Sequence, residues 1–196
     1  MTADRLRSLA LDDLDDPPLR PLPHPVADLL AALAAPPRLV AHLRAVHDVA
    51  AQLVEWTGQR HPALQFDRAA VLFGAATHDI GKTLHRGELS GPGSDHEAAG
   101  RDLLLAHGVD ARLARFAASH ASWDAPDVGF EDLLVSLADK VWKNKRVPGL
   151  EDLVVGQLAQ AGGRERWEVF LELDDELGRI GDEAGARLGF QAAQAV

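Results

Sequence analysis

The 196-residue chain contains no cysteine. That excludes disulfides, zinc–thiolate sites and a cysteine nucleophile, and it leaves His, Asp and Glu as the side chains able to hold a metal. The absence is compatible with a reducing cytoplasm, the expected compartment. Tyrosine is also missing, and short runs alternating apolar with polar residues are scarce, whereas Ala and Leu are abundant. Helical periodicity therefore dominates, and the expected fold is all-α. No stretch is apolar for long enough to span a bilayer. The opening MTADRLRSLALDDLDD lacks the apolar core of a signal peptide. Positive charge is in short supply: 20 Lys and Arg face 30 Asp and Glu, a formal net charge of −10. Such a chain is a poor binder of extended nucleic acid, whose phosphates need Lys and Arg. A local basic patch still suits a small phosphorylated ligand.

The length fits one domain with a real core. Residues 1–25 read as an N-terminal arm, a short helix followed by the Pro-rich DDPPLRPLPHP, because prolines do not sustain a helix. Residues 26–196 read as a single helical domain. Helices are expected over 26–34, 38–57 and from the cap Asp67 to Gly81. More follow over 95–107 (capped by Ser94 or Asp95), 110–122, 130–145, 150–160 and 164–188. LHRGELSGPGS at 84–94 is a loop, and 124–129 is a turn. In the last helix Trp167, Phe170, Leu173, Leu177 and Ile180 repeat at helical spacing and read as core or homodimer contacts.

What the sequence does contain is a set of metal-capable side chains on separate helices. His78 and Asp79 end the apolar run VLFGAAT within ATHDIGK. A buried unpaired carboxylate is expensive, and a bound cation removes that cost. The other members are His42 or His47, His96, His120 and Asp139. A lone His on a helix is more often a hydrogen-bonded core residue than a ligand, and Asp139 has a competing ion pair with Lys143 one turn on. The ordered set carries more information than any member. His42 lies nearer than His47 to the centre of the stripe Leu39, Leu43, Val46, Ala50 and Leu53.

The series H…HD…H…H…D, with HDIGK at its centre, resembles the HD-domain superfamily of metal-dependent phosphohydrolases over residues 38–146. The resemblance implies a compact helical bundle, here with additional terminal helices. Its first motif often reads His, Val four later and Ala eight later, which His42, Val46 and Ala50 match. It implies that His42, His78, Asp79 and Asp139 surround one metal, while Asp79, His96 and His120 hold a second. HEAAG resembles the family's third motif, where small residues let helices approach.

Imidazole and carboxylate ligands suit Mn, Fe, Co, Ni or Zn. Two such divalent cations lower the pKa of a water that attacks phosphorus, with Asp79 central to catalysis. Lys82 is placed to contact a phosphate oxygen. The run Lys140, Lys143, Lys145 and Arg146 follows Asp139 and would attract a nucleotide. Arg86 and Glu88 sit on a loop suited to lining the pocket. His85 is within reach of it, whereas His24, His61 and His107 read as structural or exposed. The activity that the resemblance implies is hydrolysis of a phosphate ester or anhydride in a small metabolite, a nucleotide. The competing readings are an HD-domain di-iron oxygenase and a ligand sensor with a structural metal. They differ in bound metal, oxygen use and turnover.

Overall fold

The computed structural model describes residues 2–12 and 17–194. The acidic run at 13–16, which leads into the Pro-rich passage of the arm, lies outside them. The described residues form helices and no strand. In chain order these are α1 (Ala3–Leu11), α2 (His24–Ala32), α3 (Pro37–Arg60), α4 (Arg68–Thr77), α5 (Asp95–Ala106) and α6 (Ala111–Ala114). Then come α7 (Phe116–Ser119), α8 (Phe130–Val141), α9 (Pro148–Gly162), α10 (Arg166–Asp182) and α11 (Ala184–Ala192). Short 3-10 turns occupy Ile80–Thr83 and Arg86–Leu89. Among the described residues, no helix is long and apolar enough to cross a membrane.

The central element is α3. Pro37 stands in its first turn, where the missing N–H costs nothing. Its residues from Leu39 to Ala51 are buried on every side, as expected of a helix packed all round. It runs past Gly58, the expected stop, to Arg60. One internal glycine costs only about 1 kcal/mol, and the Arg68 guanidinium covers the space a side chain would take. Against α3 pack α4 and α8, α1 from the arm, and α11 from the far end of the chain.

Several expected helices end differently. Asp67 does cap α4, its carboxylate accepting from the Ala70 N–H at 3.0 Å. The α-helix stops at Thr77, however, and the chain tightens into the 3-10 turn at Ile80. No side chain of Ser94 caps α5. The cap comes from the loop, where Glu88 accepts from the N–H groups of Asp95 and His96, each at 3.2 Å. The expected 110–122 helix is two single turns, α6 and α7. The expected 130–145 helix stops at Val141, and Asn144 takes a left-handed conformation with φ 56°. The expected 164–188 helix divides at Glu183. The division lets the buried Arg187 donate to the carbonyls of Trp142, at 2.9 Å, and Ile180. Of its apolar stripe, Leu173, Leu177 and Ile180 are core, while Trp167 and Phe170 are exposed.

Two buried arginines tie the ends of the chain to this core. Arg187 holds α11, and Arg44 of α3 donates to the arm carbonyls of Leu9 at 2.8 Å and Leu19 at 2.7 Å. Leu6, Ala10, Leu19 and Leu22 of the arm are buried. Prolines lack an N–H and make a poor ladder, so the guanidinium supplies donors that the local backbone does not.

The contact that most constrains the fold is the crossing of α5 over the turn after α4. A Cβ at Gly81 would lie 2.0 Å from the His96 carbonyl oxygen and 2.6 Å from the Gly100 nitrogen. Both are backbone atoms, which cannot swing aside. Gly81→Ala is therefore expected to destabilise the protein by roughly 2–3 kcal/mol, at the upper end for overpacking. Equilibrium urea unfolding measures it, and an unchanged midpoint would show that α5 is free to shift.

Candidate metal centre

The six sequence-predicted ligands converge from α3, the end of α4, the start of α5, the end of α7 and α8. They form two buried groups: His42, His78 and Asp139, and Asp79, His96 and His120. Within each group one ligand atom per residue lies within 4.8 Å of the others. Asp79 faces both. Its Oδ2 lies 3.1 Å from His42 Nε2 and 3.6 Å from His78 Nε2. Its Oδ1 lies 3.0 Å from His96 Nε2 and 3.5 Å from His120 Nε2. Asp139 Oδ1 stands 3.5 Å from His78 Nε2 and 3.7 Å from His42 Nε2.

The imidazoles are aimed by their other nitrogens. His78 Nδ1 donates to the Ala75 carbonyl at 2.9 Å, and His120 Nδ1 donates to the Ala117 carbonyl at 3.1 Å. His96 Nδ1 meets Glu88 Oε2 at 2.5 Å. In all three, Nε2 is left turned inward as the ligand atom. Gly93 makes room for this arrangement, since at its φ of 147° a Cβ would strike the Glu88 carboxylate. His96 Nε2 and Asp79 Oδ1 are buried without hydrogen-bond geometry despite their 3.0 Å separation. Facing but unbonded nitrogen and oxygen atoms, set among anchored histidines, fit divalent metals better than they fit one another.

The protonation states agree. Burial opposes charge on both carboxylates, yet His78 and His42 beside them hold Asp79 and Asp139 well below the usual carboxylate range. Burial lowers His42, and burial with nearby His78 lowers His120 to about 4, so both are neutral near pH 7. For His78 and His96, burial is outweighed by their carboxylate neighbours, and both are raised. A metal competes with protons for those two, so its uptake weakens as pH falls.

A cleft of about 450 Å³ opens over the ligands. Lys82 lies in it, its Nζ 2.6 Å from Asp79 Oδ2, and Lys140 Nζ lies 2.7 Å from Asp139 Oδ2. Lys143 forms part of the wall, 5.6 Å from the Trp142 ring. Two expected pocket residues are elsewhere. Arg146 is held by Glu151 at 2.8 Å and Asp174 at 2.7 Å, away from the cleft. Arg86 reaches the Ala34 carbonyl at 3.4 Å. Nearness in sequence to a ligand did not bring either to it, because each leaves its element toward another partner.

His47 is buried on α3 apart from both groups, and burial with Arg20 and Arg44 nearby lowers it to about 4. His85 neighbours Glu88 and Asp95, but Glu88 is committed to His96. His61 packs on Trp56 with ring centroids 5.0 Å apart, and His107 bonds the Leu103 carbonyl.

Arg38 was not anticipated, although its place one turn before His42 was a legible signal. Trp142, edge-on to His42 at 4.9 Å, and Leu188 and Gln191 of α11 also line the cleft unanticipated. A larger cleft of about 710 Å³ lies between the arm, α3 and α10–α11. Its cations are engaged within the protein, as in Arg20 with Glu55 and Arg179 with Glu176, each at 2.6 Å, and it contains none of the ligands.

Removing Glu88 leaves His96 unanchored. Glu88→Ala is expected to weaken metal binding at the Asp79, His96 and His120 group by about 10–100-fold, as outer-shell partners typically do. The His42, His78 and Asp139 group should be spared. Calorimetric titration of metal-free protein with Mn²⁺ or Co²⁺ checks this, and unchanged binding at both groups would refute it.

A family model described as HD domain matches residues 39–142, more than half of the chain and a span that includes all six ligands. No curated protein and no solved structure matches. HD domains are generally metal-dependent phosphohydrolases and typically bind divalent metals. The helical bundle, the matched span and the two buried ligand groups within it agree, and the chain belongs to the HD domain family.

Proposed function

We propose that this protein is a metal-dependent phosphohydrolase that cleaves a phosphate ester or anhydride of a small metabolite, a nucleotide. The observation that carries the reading is the sharing of Asp79 between two ligand groups at the floor of a cation-lined cleft. His42, His78 and Asp139 would hold one divalent ion and His96 and His120 the other, with one Asp79 oxygen turned to each. Bound there, such ions supply Lewis acidity, lowering the pKa of water and neutralising phosphate oxygens.

The chain's own residues support that chemistry. His78 and His120 are oriented by backbone carbonyls, so little reorganisation is needed when a ligand binds. Lys82 and Lys140 bring ammonium charge beside the two ligand carboxylates, where phosphate oxygens would lie. Among the described residues, the cleft wall contains no Ser, Thr, Cys or Tyr. The wall thus offers no hydroxyl or thiol nucleophile, which favours attack by water. Four cations at the cleft favour a phosphate substrate over the C–H bond of an oxygenase substrate.

Phosphate release from a nucleotide panel with added Mn²⁺, Co²⁺ or Ni²⁺ tests the reading. Asp79→Asn should lower it by more than the roughly 100-fold typical of losing an outer-shell partner. It should also reduce metal content measured by elemental analysis. Two irons per chain with oxygen uptake and no phosphate release would replace this reading with an oxygenase.

A further inference from the structure

The four cations lining the cleft divide into two pairs. Lys82 and Lys140 are engaged with the ligand carboxylates Asp79 and Asp139. Arg38 and Lys143 have no carboxylate partner among the described residues. Arg38 is half-buried, and its Nε is fully buried without a hydrogen-bond partner. Elsewhere this acidic chain matches its partly buried arginines to carboxylates: Arg7 to Asp28, Arg115 to Asp132 and Arg164 to Glu172. With ten more acidic than basic residues, a partner for Arg38 was available in composition. A partly desolvated guanidinium without an acceptor is costly. Its fork of donors suits the oxygens of phosphate.

Position adds to this. Arg38 is one helical turn before His42, and Lys143 is four residues after Asp139. Each thus sits one step away from a ligand of the same group. Trp142 lines the same cleft, edge-on to the His42 ring at 4.9 Å and 5.6 Å from Lys143 Nζ. Its Nε1 is a second buried donor without a partner. The cleft wall also includes Leu39, Leu89 and, from α11, Leu188 and Gln191. These four residues are apolar but for one amide, and α11 lies outside the matched span.

We propose that Arg38 and Lys143 form an anion subsite, distinct from the metal groups, that receives a second phosphate of the substrate. Resting on the phosphohydrolase reading, this makes the substrate an organic phosphoanhydride, a nucleoside di- or triphosphate, in preference to a monophosphate ester. In the reaction, water oxygen bonds to one phosphorus and the bridging P–O bond breaks. The bond's electrons stay on the oxygen of the departing phosphate, and the water protons pass to the products and solvent. No oxidant or reductant is needed. The phosphate across the bridging oxygen occupies the Arg38–Lys143 subsite, and the nucleoside lies toward Leu188 and Gln191.

The test uses the full chain loaded with Mn²⁺ and compares wild type with Arg38→Gln, Lys143→Gln and the conservative Arg38→Lys. Steady-state turnover of nucleoside mono-, di- and triphosphates is measured beside calorimetric binding of a methylene-bridged, non-hydrolysable diphosphate analogue. Wild type should prefer di- or triphosphates. Arg38→Gln should lower kcat/KM for them by about 10–100-fold, mainly through KM. Its effect on a monophosphate should be at least about tenfold smaller, a discrimination that loss of a mere structural contact would not produce. Arg38→Lys should recover part of the loss, and analogue affinity should fall in parallel while metal content and thermal melting stay at wild-type values. Equal losses for mono- and diphosphates, or no loss for either, would overturn the subsite and leave the phosphohydrolase standing. Absence of phosphate release from every substrate by metal-loaded protein would overturn the phosphohydrolase reading. In that case Arg38-dependent binding of the analogue decides the subsite by itself, and analogue binding that ignores Arg38 removes it.

Discussion

Two carboxylates, Asp79 and Asp139, are buried in the middle of a helical bundle, and much of the structure answers to them. An ionised carboxylate taken out of water costs several kcal/mol unless charge and hydrogen bonds are restored to it. Here the restoration comes from four histidines carried on two helices and two helix ends, and from two lysines at the rim. None of these partners lies in the same segment as both carboxylates. The ion cluster is therefore an agreement among helices about where to pack, and it can form only if α3, α4, α5, α7 and α8 are all in place.

The backbone gives that agreement its rigidity. Carbonyls of the preceding turn aim His78 and His120, and these carbonyls belong to helices buried on several sides. His96 depends instead on the loop, through Glu88, which serves at once as helix cap and as imidazole anchor. Room for α5 to come so close is made by glycine at both faces of the crossing, Gly81 and Gly100. Packing, capping and ligand orientation are thus a single device here, and a change in any of them is felt at the metal groups.

Charge is distributed with a similar economy. The chain carries a formal −10, yet its ligand-bearing cleft presents Arg38, Lys82, Lys140 and Lys143. A concave, basic site on an acidic molecule concentrates small anions while long polyanions are repelled by the surrounding surface. The far end of the chain takes part as well. Arg187 pins α11 to the Trp142 carbonyl, and that places Leu188 and Gln191 on the same cleft wall.

Much of this was legible in the order of residues, and the boundary of what was legible is physical. Helical periodicity, the Asp67 cap and the place of His42 nearer than His47 to the apolar stripe depend on interactions within about one turn of helix, which sequence displays directly. The candidate ligands stand out through the spacing of HDIGK and its companions, which the family match spans. Partner choice between distant segments was not. Arg86 and Arg146 stand near ligands in sequence, but one turns to a carbonyl of the α2–α3 connection and the other to α9 and α10. Glu88 becomes the cap of α5 only because the loop folds back on it. The division of α10 from α11 follows from Arg187 reaching carbonyls already placed by α8 and α10. Sequence by itself determined the helical class and the chemistry of the candidate ligands, since both are set by neighbours along the chain. Tertiary structure alone decided which cations stay unpaired beside them, because a charge finds its partner through space.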